Sequence, residues 1–207
     1  STYSGNTEVR DGSLVVNESI SDSTVVDVSN GATYTLGKSD TIGGLEGAGS
    51  VNLNGYELTV SQSANQATFS GIISGSTATS HLKKAGSGTL ILSGANTYQG
   101  NTSIDDGVLE VSGSLNDSTI VDVSSGATYR LSSSDTIGGL TGAGSVDLNS
   151  NELTVSQSAN QATFSGIISG STAASDLRKA GQGTLILSGD NTYEGNTFID
   201  AGVLSFT

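Results

Sequence analysis

The chain has 207 residues, 29 of them glycine, with one histidine and no proline, cysteine, methionine or tryptophan. Hydrophobic residues make up 34%, enough only for a thin aliphatic core, and without cysteine a disulfide frame, a Cys/His zinc site and an iron–sulfur cluster are excluded. The 20 acids against 7 bases leave a net charge of −13, which argues against binding nucleic acid, whose phosphates need lysine and arginine.

The sequence repeats at an offset of 95 residues without a gap. Tyr3, Tyr98 and Tyr193 correspond, as do Tyr34 and Tyr129, and Phe69 and Phe164. About 70 of the 95 paired positions are identical. Residues 1–95 and 96–190 are two copies, and 191–207 begins a third. Each predicted element is therefore read against its own copy. In GSLVVN, Leu14 and Val16 stay apolar as Leu109, Val111, Leu204 and Phe206, while Val15 becomes Glu110 and Ser205. A fixed apolar position alternating with a free one marks a strand with one buried face. TVVDVS places Val26 and Val28 inward and Asp27 outward. ATYTL follows with Tyr34 and Leu36 inward and Thr35 free to become Arg130. SVNLN holds Val51 and Leu53 fixed around Asn52, which is Asp147 in the copy, and ELTV repeats the pattern with Leu58 and Val60. A short helical turn is expected near Ser80–Ala85. Gly86 and Gly88, with Gly181 and Gly183, form tight corners before the strands Thr89–Leu92 and Thr184–Leu187. The next corner is built from Asn96, Tyr98 and Gly100, and in the copy from Asn191, Tyr193 and Gly195. The tyrosine rings are expected to lie over a coil edge, a ligand-stacking platform being the alternative.

The pattern predicts an almost all-β chain. A copy of 95 residues is also the size of an immunoglobulin-like sandwich. Against that reading stand the high glycine content, the lack of a linker between copies, and a final apolar strand, GVLSFT, with no sandwich to join. A right-handed parallel β-helix fits better: one continuous solenoid over 1–207, with coils of about 20 residues stacked at ~4.8 Å. Each copy then spans four or five coils and repeats its outward patches at ~20 Å intervals along the axis.

The stretch Lys83 to Gly113, KKAGSGTLILSGANTYQGNTSIDDGVLEVSG, returns from Arg178 to Thr207, and its tail opens the chain as STYSGNTEVRDGSLVV. This string resembles the passenger-associated transport repeat of Gram-negative autotransporter proteins, the type V secretion adhesins. The resemblance implies a secreted passenger folded as a right-handed β-helix on the bacterial surface. Anchoring would come through an outer-membrane translocator that this sequence does not include. The chain begins at Ser1 with no signal-like stretch and reads as a piece of a longer protein. No apolar run approaches the ~18 residues of a membrane-spanning helix, so no insertion into a membrane is expected.

Catalytic chemistry finds no foothold. A Ser–His–Asp system needs an imidazole, yet His81 corresponds to Asp176 in otherwise matching surroundings. The repeated acids are scattered over different turns, and the glycine-rich calcium loop is missing around Asp105 and Asp106. Lys84 and Lys179 persist among them. No cofactor and no metal are expected. The expected role is adhesion or self-association through repeated outward faces, in aggregation or biofilm growth. The outward interaction candidates are Asp27, Asp122, Asp40 and Asp135. The partner would be a host or abiotic surface, a glycan, or the same passenger on another cell. A passive spacer and a polysaccharide-active enzyme are the alternatives.

Overall fold

The structure, a computed structural model, describes residue 3 and residues 5–63, 65–158 and 160–207. Among the described residues there are 26 strands of three or four residues and no helix. The expected turn near Ser80–Ala85 is instead the strand Leu82–Ala85, whose Leu82 and Lys84 alternate inward with the exposed-side Lys83. Every pairing between strands is parallel, which rules out the sandwich and makes the chain a β-solenoid. A coil takes from 17 residues (Tyr129 to Val146) to 24 (Leu58 to Leu82).

Three faces run along the rod. Face 1 has nine strands, from Thr7–Val9 through Val25–Val28, Gly44–Gly47, Gln66–Phe69, Thr89–Leu92, Val108–Val111, Thr128–Leu131 and Ser145–Asp147 to Ile167–Ser169. Face 3 also has nine, from Asp40–Ile42 through Leu58–Ser61, Leu82–Ala85, Thr102–Ile104, Ile120–Val123, Gly139–Gly142, Gln161–Phe164 and Thr184–Leu187 to Val203–Phe206. Face 2 is split. It has Ser13–Val16, Thr33–Leu36, Ser50–Asn52 and Ile72–Ser74, then two coils without strands, then Asp135–Ile137, Leu153–Ser156, Leu177–Ala180 and Thr197–Ile199. Across the gap the stacking persists: the amide of Thr97 donates to the carbonyl of Ile73 at 2.9 Å, and Ala95 pairs with Ser114.

Inward residues form columns. On face 1, Leu90, Leu109, Tyr129, Val146 and Ile168 stack in successive coils, each fully buried. Each aliphatic side chain in such a column contributes about 1.5–3 kcal/mol of burial, with the coils above and below and the other faces of the shared core supplying the cover. Where the copies differ, the core hardly notices. Among the described residues one position buried in both copies changes, Val9 to Ile104.

The repeat and the coils are out of phase. Thr7–Val9 lies on face 1, its counterpart Thr102–Ile104 on face 3, and the third copy's Thr197–Ile199 on face 2. One copy therefore advances four coils and two of the three faces. The axial step is about 22 Å, close to expectation, but each copy is also turned by one face.

Candidate functional site

The recurring motif is built around a corner. At Lys84 the period-two alternation points a lysine inward, where it is fully buried. Its ammonium donates to the carbonyls of Ala85 (2.9 Å) and Gly86 (2.6 Å) in its own coil and of Asp106 (3.0 Å) in the next. Lys179 does the same with Ala180, Gly181 and Ala201 at 2.5, 2.7 and 3.2 Å. The charge is paired with carbonyl dipoles, and it ties successive corners together. Burial pushes the Lys84 amine down to about 8, with the nearby Asp106 opposing. These lysines are structural, a role the alternation in LKKA implies once Leu82 is set inward.

Glycine is required here by close approach. A Cβ on Gly88 would lie 1.6 Å from the carbonyl oxygen of Ser63 in the coil below, and one on Gly183 would lie 2.0 Å from that of Ser158. Gly86 and Gly181 sit at φ +74° and +72°, and Gly100 and Gly195 also press on a neighbouring carbonyl. Asn96 takes the place of a strand. Its Oδ1 accepts from the amide of Ile73 (3.0 Å), and its Nδ2 donates to Gly94 (3.0 Å) and Ser114 (3.1 Å), so one side chain joins three coils. Asn191 repeats the bonds to Ile168 and Gly189 at 2.9 Å each. Tyr98 is wholly buried, its hydroxyl 2.6 Å from that of Thr102, and Tyr193 is partly buried with its hydroxyl 2.7 Å from Thr197. A buried Tyr98 ring is no ligand platform; it belongs to the core.

The four acidic candidates separate into two pairs. Asp40 and Asp135 do not face outward; both are 95% buried, each at 5% exposure. The reason is a tyrosine partner six residues earlier: Tyr34 donates to Asp40 at 3.0 Å and Tyr129 to Asp135 at 2.8 Å. Asp135 also accepts from the amide of Leu115 at 3.2 Å. Burial raises the Asp135 carboxyl to about 6 against the opposing pull of these hydrogen bonds, and it raises Asp40 as well. Asp27 and Asp122 are half-buried on outward positions. Asp27 lies in register between Glu8 and Glu46, a column of three carboxylates in successive coils. In the second copy that column reads Ser103, Asp122 and Thr141, and Thr141 donates to Asp122 at 2.7 Å.

His81 accepts the amide of Asn101 on Nδ1 at 2.9 Å, and Asp176 accepts that of Asn196 at 2.6 Å. The exchange thus preserves one task, that of an acceptor closing a corner. Among the described residues no group of three or more metal-ligating side chains is close enough to hold an ion, and no helix is long and apolar enough to cross a membrane. The surface has shallow grooves. One of about 360 Å³ is lined by Asn52, Ser74, Gly75, Ser76, Thr97 and Gln99, where face 2 loses its strands. No catalytic group lies among these residues.

The passenger-associated-transport-repeat family matches residues 1–16, 82–111 and 177–206, the segments that carry the buried lysines, the corner glycines and the strand-replacing asparagines. The chain is also 36% identical, over 84% of its length, to the adhesin BmaC autotransporter of Brucella suis biovar 1 (strain 1330). The chain belongs to the autotransporter passengers. This passenger covers 5% of the length of that adhesin. No solved structure matches it. Membership implies a secreted, cell-surface place for the solenoid. The three matched segments lie 95 residues apart and fall on different faces, so the motif marks a kind of corner and not a side of the rod.

Proposed function

We propose that this passenger segment is a non-enzymatic adhesive rod that attaches to surfaces or to copies of itself through its outward faces, in aggregation and biofilm growth. The observation that carries the reading is the division of labour between positions. Polar and charged side chains that could do chemistry are either buried in structural bonds, as are Lys84, Asp40 and Asp135, or lie in outward columns and ion pairs, as do Glu8, Asp27 and Glu46 and the group of Glu110, Arg130 and Asp147. What the surface offers is extended, repeated contact, in which weak interactions sum when many are made together. The adhesin relative supports the same role. Sedimentation of the purified chain over a concentration series, at several salt levels, tests it. Association that strengthens with salt is expected, because screening relieves the repulsion of a −13 chain. A chain that stays monomeric, with displaying cells that neither clump nor attach, leaves a spacer that carries another domain outward.

A further inference from the structure

Charge is sorted between the faces, and the rotation of the repeat does the sorting. Along face 1 the outward positions include Glu8, Asp27, Glu46, Glu110, Arg130 and Asp147, and Arg130 pairs with Asp147 at 3.1 Å and Glu110 at 3.7 Å. Face 2 is different. From Ser13–Val16 to Leu153–Ser156 its outward strand positions carry no charge: Val15, Thr35, Asn52 and Ser74, then Thr136 and Thr154. In the two coils between, the chain presents Ala95 and Thr97, then Ser114 and Asn116. Val15 and Ile72 stand on this face at 53% and 45% exposure. Charges return at its corners, where Lys38 meets Glu18 at 3.5 Å, and at its far end with Arg178.

The second copy's counterparts of Val15, Thr35 and Asn52 are Glu110, Arg130 and Asp147. A repeat in phase with the coils would have continued face 2 with those three charges. The one-face turn sends them to face 1 and brings Thr136 and Thr154 under the first copy's neutral strands. The uncharged face therefore spans both copies, although the second copy's counterparts of the first copy's neutral strands are charged.

We propose that face 2 is the docking face of the rod and that its occupant is the same face of a second copy of this chain, related by a two-fold axis. The inference rests on the self-association reading above. Two bodies of net charge −13 repel, and the face without charged outward groups is where they approach at least cost. Face 1 against face 1 would set the Glu8, Asp27 and Glu46 column against its own image. A self-complementary contact needs no second surface. Eight coil positions of three or four residues give about 35 Å by 12 Å, about 400 Å² a side, in the range of weak, transient contacts. Each contact is then weak, and a dense display of rods on two cells supplies the number. The polar part is hydroxyls and amides, with Val15 and Ile72 as the apolar points.

The test uses substitutions that the second copy already carries on equivalent strands, so the fold accepts them. Val15→Glu with Asn52→Asp puts two carboxylates on face 2. Sedimentation of wild type and variant, with thermal melting to verify folding, is expected to move the midpoint of association upward by about tenfold or more. Ser103→Glu, which copies Glu8 onto face 3, leaves it unchanged. Mixing the acidic variant with a Val15→Lys, Asn52→Lys chain restores association as a mixed dimer. If wild type associates and the acidic variant associates equally well, face 2 is not the interface, while self-association stands. If wild type remains monomeric at every concentration and salt level, the self-association reading falls and this inference with it.

Discussion

Replacing Lys84 by methionine isolates the contribution of the buried ammonium. The stem is nearly matched in volume, so packing is retained, while three carbonyls lose their donor. A charged hydrogen bond contributes about 1.5–3 kcal/mol, and a carbonyl left buried without its donor costs about 1–3 kcal/mol, because it stays desolvated. One wetted carbonyl would regain part of this, so a loss near 3 kcal/mol is expected for Lys84→Met. Lys83→Met is the control: that side chain is outward, meets Asp105 at 3.3 Å and is a third exposed, so it should change stability by about 0.5 kcal/mol or less. Urea unfolding measures the total, and amide exchange at Gly86 and Gly107 reports whether the corner opens first. Exchange matters because a solenoid loses cooperativity along its length. A Lys84→Met chain within about 1 kcal/mol of wild type, with its corner amides still protected, would refute the claim that the ammonium ties coil to coil.

Three further outcomes follow from the geometry. Asp135, raised from an ordinary 3.8 to about 6, binds a proton more tightly folded than unfolded; its contribution is full below about pH 4 and is lost as pH rises through about 6. It reaches about 3 kcal/mol at most, and comparing wild type with Asp135→Asn across pH 4–7 should show that excess only in wild type. Glu46→Thr, the residue its own copy carries as Thr141, removes one carboxylate from the Glu8–Asp27–Glu46 column and should stabilise the chain by about 0.2–1 kcal/mol in a melt at low salt, with the gain shrinking at high salt. His81→Asp should fold with stability within about 0.5 kcal/mol of wild type, since Asp176 already closes the equivalent corner, whereas His81→Leu should cost about 1 kcal/mol or more by leaving the Asn101 amide unpaired.

Much of the fold is legible because the two copies act as a substitution experiment. Leu14, Val26, Tyr34 and Leu58 stay fixed while Val15, Thr35 and Asn52 drift, and period two follows at once. The same logic places Lys84 and Asp40 inside, but hydrophobicity speaks against them, and in both cases a local partner decides. For Lys84 the partner is a ring of carbonyls, and for Asp40 it is the hydroxyl of Tyr34. Neither partner is visible as a spacing rule until the coils are stacked. The phase between repeat and coil is hidden for a different reason. Coils vary from 17 to 24 residues, so 95 residues do not by themselves say how many faces have gone by.

That phase also bears on how such a rod comes to have its length. If copies had to arrive in whole coils, a duplication would need both ends on the same face. Here the seam joins Thr89–Leu92 on face 1, through the strandless Asn96 coil, to Thr102–Ile104 on face 3, and the buried columns run on across it. Each face asks much the same of a strand: alternate side chains turned inward and buried, most of them apolar, with the positions between them outward. The faces are interchangeable hosts, so the solenoid can lengthen by thirds of a turn, and an insertion succeeds wherever it begins and ends at a corner.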